Sequence, residues 1–516
     1  MPRGDKLPLL KGKNPFVPIH WRPTLTRRQF TIGSATILFG GVIGSRHGMG
    51  EVAPFSAPLP IPKLVDAAKQ GNAVKLKAAS GRHAFFKGKP THTYGYSAPV
   101  LGPVIRLRRG DEVEMTVENA LDVATTTHWH GLLVPGHNDG GPHQAVNPGE
   151  SWRPVLKIDQ PATTAWFHPH LHHDTARQIY MGLAGMIIVD DGFDARLGLP
   201  RTYGVDDLPI ILQDRSFNPD GSIDYGTDAD SMDIVYGARG DTIIVNGAIA
   251  PFAKVPPGLV RLRLLNGANA QNFELRFSDQ RTFHVIASDQ GFLSAPIAVT
   301  KLRISPAERF EILVDFTNRK MVALETGPDE AMGIFGRVSA DGSSDYVPIM
   351  RFEPTAAAPM VRHLPTRLIE PAASNPDSAV RRRQFVLNSG ICGTRPAVGG
   401  QMAMPAVALV GINGKTHDMS RIDVETQLWT TEVWEIVSIG MPHPFHIHGA
   451  SFRILSIEGG PVPAHLKGWK DVALVEGKAE LLVAFNQPAM RDHPFMYHCH
   501  ILEHEDAGLM GQYICA

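Results

Sequence analysis

Phe495-Met496-Tyr497-His498-Cys499-His500-Ile501-Leu502-Glu503-His504 is the stretch from which the rest of the chain can be read. In an extended strand, alternate side chains point to opposite faces. His498 and His500 therefore reach one centre while Cys499, between them, reaches another. A thiolate with imidazoles suits copper electron transfer, and further imidazoles on the opposite face suit a second copper site. Such a stretch needs partners elsewhere in the sequence.

The partners come as pairs of the same spacing. His128 and His130 lie in Thr127-His-Trp-His-Gly131, His168 and His170 in Ala165-Trp-Phe-His-Pro-His170, and His446 and His448 flank Ile447. Around them the pattern is that of short strands. Val104–Asn119 alternates apolar and polar residues on both sides of a Gly110-Asp111 turn. Leu259–Asn266, Asn272–Phe277 and Glu308–Asp315 repeat this pattern, and Gln384–Leu387 and Thr431–Val437 repeat it again. A β-sandwich unit of roughly 150 residues is thus written three times. We place the units at 57–200, 205–355 and 384–516, with an Ala-, Pro- and Arg-rich linker at 356–383. The first and third carry the histidine pairs. The middle one has none and is expected to serve as spacer or scaffold.

Composition agrees with an all-β chain. Glycine (50) and proline (41) together make about 18% of 516 residues, against roughly 12% in average proteins, so tight turns are frequent. Lys plus Arg (50) balances Asp plus Glu (51), which argues against nucleic acid or another polyion as partner. With Cys499 on metal, Cys392 and Cys515 remain as one candidate disulfide pair. Residues 1–50 read as an export address: Arg27-Arg28 before Phe30, then an apolar run to Gly44 that is too short to span a membrane. The pair resembles a twin-arginine signal. We therefore expect export by the twin-arginine machinery to the periplasm or outside the cell, and a mature monomer without a stable membrane span.

The motifs His128-Trp-His130-Gly, His168-Pro-His170, His443-Pro-Phe-His446-Ile-His448 and His498-Cys-His500-(x3)-His504 resemble those of the multicopper oxidases, in the three-domain bacterial branch of laccases, cuprous oxidases and bilirubin oxidase. The resemblance runs over nearly the whole chain after residue 60. It implies three consecutive cupredoxin-like Greek-key domains and four copper ions. It assigns His443, Cys499 and His504 to a type 1 copper, and His128 with His446 to type 2. His130, His168, His170, His448, His498 and His500 fall to the type 3 pair. The implied reaction couples one-electron oxidation of a small-molecule or metal-ion donor to reduction of dioxygen to water. Asp139 and Glu505 resemble the family's acidic and proton-relay residues. Relatives serving as division-complex scaffolds have lost the copper ligands, whereas all eleven positions are filled here.

Several positions depart from the pattern or stay open. The axial methionine of the branch falls on Leu509, with Met510 one residue on, and alternation allows only one of them to approach the copper. We take Leu509. Asp471 either orients a ligand or closes a turn. A long Met-rich insert is missing; only Met402 and Met404 stand in that region, which weakens a specialised cuprous oxidase against a general laccase-like enzyme acting on phenols or aryl amines. A metallo-oxidase for Cu(I) or Mn(II) is the alternative activity, and a copper-binding scaffold without turnover the alternative of another class. His172 and His173 are candidates to line the route to the cluster.

Overall fold

Strand alternation decides which side of each sheet is wet. In Glu112–Ala120, Val113, Met115 and Val117 point inward while Glu112, Glu114 and Glu118 are exposed. This strand joins Ala73–Phe86 in parallel and packs, through Leu76, Ile105, Leu156 and Ile187, onto a second sheet that contains Val104–Arg108, Gly185–Asp190 and Thr163–Phe167. The computed structural model describes residues 54–226, 235–329, 345–370, 375–389 and 410–516, and the backbone alone at 391–394 and 405–407. The twin-arginine stretch and the Met402/Met404 pair lie outside the described residues.

The same sandwich occurs twice more. In the second, Asp207–Phe217, Leu259–Asn266 and Arg309–Asp315 form the centre of one sheet, and Phe273–Phe277, Val322–Gly327 and Val347–Pro354 the other. In the third, Arg381–Asn388, Thr430–Ile439, Lys478–Phe485 and Ala450–Ile457 face a sheet of Val424–Thr426, Met510–Cys515, Phe495–Cys499, His443–Ile447 and Val472–Val475. The chain is mostly β, a three-domain cupredoxin fold. Among the described residues no helix is long and apolar enough to cross a membrane.

Two segments differ from the sequence reading. The first strand of the third sandwich starts at Arg381, inside the stretch read as linker, and Leu368 of that stretch is buried against the second core. Leu59, placed in the first unit by the sequence, packs instead into the second core, with its N–H on the Phe252 carbonyl at 2.6 Å. Apolar residues in Pro-rich segments have found the nearest core. Cys515 is buried and free.

The middle sandwich is more than a spacer. In Leu259–Asn266 the apolar residues Val260, Leu262 and Leu264 enter its own core, as alternation requires, yet the polar face is buried as well. There Arg263 pairs with Asp207 at 2.7 Å and with Glu311 at 2.8 Å, and Arg261 pairs with Glu311 and, at 3.3 Å, with Asp194. Thr164 of the first sandwich donates to Glu311 at 2.7 Å, closing the interface between the two units. Burial opposes the Glu311 charge, but the two arginines outweigh it and hold the carboxyl down at about 2. Glu311→Gln would leave Arg261 with Asp194 alone, and we expect a loss of about 3–5 kcal/mol, read as a fall in the thermal midpoint. Because the folded value lies below the unfolded one, this contribution is complete above about pH 4.5 and disappears as pH falls toward 2, so the two proteins should converge in acid. An apolar seam of Val104, Trp166 and Met186 with Ile211, Leu265 and Val472 draws residues from all three sandwiches.

Candidate metal centre

The third sandwich sets its ligands by register. His446 pairs with His498 across antiparallel strands, and Phe445 pairs with Cys499. Opposed residues share a face, so His446, His448, His498 and His500 lie on one side. Cys499, His443 and Phe445 lie on the other. The first sandwich repeats the device: His128 and His168 form an antiparallel bridge, their backbones bonded at 2.8 and 3.2 Å. The two histidine faces meet. His128 stacks on His448 with centroids 3.8 Å apart, and His130 on His446 at 3.7 Å. All eight imidazoles are buried.

Several threes among the eight bring their ligand atoms within 4.8 Å of one another: His128/His130/His168, His128/His446/His448 and His170/His448/His498. The Nε2 atoms of His170, His448 and His498 lie 3.1, 3.2 and 3.3 Å from one another. Three imidazoles around one ion at 2.0–2.1 Å in tetrahedral array stand about 3.3 Å apart, so the set fits a metal. The ring centroids of His130, His168 and His500 stand 5.2–5.5 Å apart. The rings of His128 and His446 have centroids 5.9 Å apart. Each gives its Nδ1–H to a backbone carbonyl, Asp139 at 3.0 Å and Asp471 at 2.8 Å, leaving both Nε2 atoms buried without a partner. His500 has no partner at either nitrogen. Buried orphan nitrogens in this number are what a metal-binding cage presents before its ions are considered.

Three carboxylates stand behind the cage, and each lies between an imidazole of the first sandwich and one of the third. Asp139 Oδ2 is 2.7 Å from His448 Nδ1 and 3.4 Å from His128 Nδ1. Glu505 lies 3.2 Å from both His170 Nδ1 and His498 Nδ1. Asp471 Oδ1 is 3.2 Å from His130 Nε2 and 3.9 Å from His446 Nδ1. With its Nε2 held by Asp471, His130 turns Nδ1 toward the cage, 3.3 Å from His168 Nε2. Asp471 also takes two N–H groups of Arg309, both at 2.6 Å, and the Gln290 amide at 2.5 Å. A carboxylate so fully engaged orients ligands rather than serving as one. Arg309 and Gln290 belong to the middle sandwich and were not singled out in the sequence; no local pattern marks them. Asp471 is therefore no simple turn residue.

Asp139 is placed by its neighbour. Gly140 has φ +83°, and a Cβ there would lie 1.8 Å from the Thr127 carbonyl oxygen, so the turn is pressed onto the His128 strand. Gly140→Ala should cost on the order of 3 kcal/mol and lower the metal content of the histidine cage, measured by melting and by metal analysis.

On the opposite face, His443, Cys499 and His504 bring their ligand atoms within 4.8 Å of one another. His504, on the short helix Leu502–Asp506, has Nδ1 3.7 Å from the Cys499 sulfur. The Ile501 N–H points at the same sulfur from 3.3 Å. Leu509 is fully buried in the core that holds Cys499, and its carbonyl accepts the Cys499 N–H at 3.1 Å. Met510 pairs in register with His498, so its side chain follows the histidine face.

Electrostatics favour metal over protons. Burial, reinforced by neighbouring imidazoles, pushes His130, His168, His170, His446, His448 and His500 well below the ordinary imidazole value. Burial acts likewise on His443 and lowers His504 to about 4. It raises the Cys499 thiol well above its usual range. Neutral imidazoles keep their lone pairs, and metal binding at Cys499 must displace a proton.

Comparison with known proteins agrees with this geometry. Profiles of the multicopper oxidase family match residues 78–193, 216–323 and 394–516. A solved laccase-like multicopper oxidase, CueO from the lignin-degrading bacterium Ochrobactrum sp., is 46% identical, with TM-score 0.80 over 89% of this chain and 100% of its own. The McoA multicopper oxidase of Aquifex aeolicus is 30% identical, with TM-score 0.78 over 90% of this chain and 100% of its own. The cell division protein FtsP of Salmonella typhimurium is 38% identical over 495 residues, 95% of this chain and 98% of that one. On fold, motif order and similarity, the chain belongs to the multicopper oxidase family.

Proposed function

We propose that the chain is a laccase-like oxidase carrying four coppers. His443, Cys499 and His504 hold the type 1 ion, and His128 with His446 the type 2 ion. The sets His130/His168/His500 and His170/His448/His498 hold the type 3 pair. The observation that carries the reading is the sharing of one strand: Cys499 and its neighbours His498 and His500 point to opposite sites. Bound copper supplies one-electron acceptance at the Cys499 site and four-electron reduction of dioxygen to water at the histidine cage.

The chain supplies the rest. Peptide bonds join Cys499 to both His498 and His500, so the two sites share a covalent path. Glu505 and Asp139, buried beside imidazole Nδ1 atoms, are positioned to hold protons for the four that water formation consumes. Leu509 closes the type 1 site with a side chain that cannot donate. Leu509→Met should lower the potential of that site, because a thioether stabilises the oxidised ion. An unchanged potential would remove Leu509 from the axial position.

Phenols and aryl amines are the proposed donors. The relative from Ochrobactrum, whose described oxidase activity is toward lignin model compounds and lignosulfonate, supports this class. The paired arginines support export by the twin-arginine machinery to the periplasm. A role in cell division is the second reading, favoured by the extent of similarity to FtsP, and it needs no turnover. Oxygen uptake on a phenol, on Cu(I) and on Mn(II), at known copper content, separates these. Fastest uptake with the phenol supports the first reading, and fastest uptake with Cu(I) or Mn(II) replaces it with a metallo-oxidase. Colourless protein holding fewer than four coppers and consuming no oxygen would sink both enzymatic readings.

A further inference from the structure

A cluster of histidines and a methionine lies outside the centre described above. His172 and His173 follow His170 in the first sandwich and stack with centroids 3.6 Å apart. The rings of His172 and of His417 in the third sandwich meet nearly at right angles, with centroids 4.8 Å apart. His417 Nε2 lies 3.4 Å from the Met419 sulfur. The His417 ring is 8% exposed, and its Nδ1 has no partner. A thioether is a weak acceptor, so this buried imidazole has no strong hydrogen bond at either nitrogen. Packing alone does not account for a polar ring left in that state.

The group is held in place from both sides. The backbone N–H of His417 bonds to the Gly508 carbonyl at 3.0 Å. The Gln512 amide gathers the carbonyls of Asp418, Met419 and Arg421 at 3.0, 3.0 and 2.7 Å, which fixes the loop bearing the sulfur. Across the interface, His173 Nδ1 lies 2.9 Å from the Asp506 carbonyl, and the Asp506 carboxylate takes the N–H groups of Thr175 and Ala176 at 3.0 and 2.9 Å. Neither loop has to be ordered for the two to meet.

The His417 imidazole and the Met419 thioether are the converging donors, with the His172 ring beside them, and the thioether tilts the set toward Cu(I). The spacing suits a shared ion. Bonds of about 2.0 Å to nitrogen and 2.3 Å to sulfur at a tetrahedral angle put the two atoms about 3.5 Å apart. A methionine merely packed on an aromatic ring sets its sulfur about 5 Å from the ring instead. We propose that His417 and Met419, with His172 beside them, form an additional site for a soft monovalent ion, Cu(I), outside the histidine cage. A thioether-bearing copper site would then exist without the Met402/Met404 region.

Silver(I), a redox-silent mimic of Cu(I), tests this. Copper-replete protein is titrated with Ag(I) by calorimetry, and bound silver is counted after dialysis. One Ag(I) per chain is expected, weakened at least tenfold in Met419→Leu and in His417→Phe, and unchanged in the double variant M402L/M404L. Met419→His, which restores a donor, should recover binding. The proposal is overturned if wild type takes up no silver, if both single variants bind like wild type, or if only M402L/M404L loses the site. The difference between wild type and variants decides the matter whether or not the Cys499 site is loaded. An intact blue band without silver uptake fails this proposal alone, and a missing blue band fails the oxidase reading.

Discussion

Cys499→Ser is expected to abolish the blue colour and cut oxidation of every donor by about 10³-fold or more, at least about 4 kcal/mol of barrier. The argument rests on register. Cys499 faces the core with Phe445, and the imidazoles of His498 and His500 face the cage. A serine removes the thiolate without disturbing either neighbour, since the hydroxyl is smaller and the strand is held by its ladder. The copper count should therefore drop from four to three, with the cage still loaded. Metal analysis and the visible spectrum check this together. Loss of all four coppers would show that the two sites are not independent in assembly. Retention of the blue band would remove Cys499 from the type 1 site.

Asp471→Asn should have the second largest effect, and on the other site. The amide keeps the shape of the carboxylate but not its charge, so buried Arg309 loses its main counter-ion, with Asp289 left at 3.8 Å. Breaking one partner of a buried pair costs about 3–5 kcal/mol. His130 loses a charged acceptor at Nε2 at the same time, and removing such outer partners lowers metal affinity by about 10–100-fold. We expect a lower melting temperature in the metal-free protein and easier removal of cage copper by a chelator. The Cys499 colour should persist. A variant with unaltered melting and chelator resistance would reduce Asp471 to an ordinary loop residue.

The two variants also mark what the sequence made readable. Spacing alone placed four histidine pairs and Cys499, because alternation in a strand is a local rule and the motifs obey it. Alternation says only that Leu509 and Met510 cannot both face the copper; the position implied by the resemblance points to Leu509, and in the structure it is Met510 that pairs with His498. Asp471 was not readable to the same degree. Its partners Arg309 and Gln290 stand 162 and 181 residues away, in the unit that has no histidine pair. Gly468-Trp-Lys-Asp471 looks like a turn, and the strand opening at Arg309 looks like any strand with a polar edge. The middle unit was expected to serve as spacer or scaffold because it carries no histidine pair, and nothing in its sequence marks its polar faces as buried. They are covered by the first sandwich, and charge pairs such as Arg263 with Asp207 take the place of solvent.

The meeting of His170 with His448, 278 positions apart, also bears on the order of events during biosynthesis. A nascent polypeptide that has released only its first sandwich displays half of the cage. No growing intermediate can close it until His446 through His500 have been translated and have folded back. Closure of the cage is thus a late event, and until then the first four imidazoles stand without their counterparts from the third sandwich.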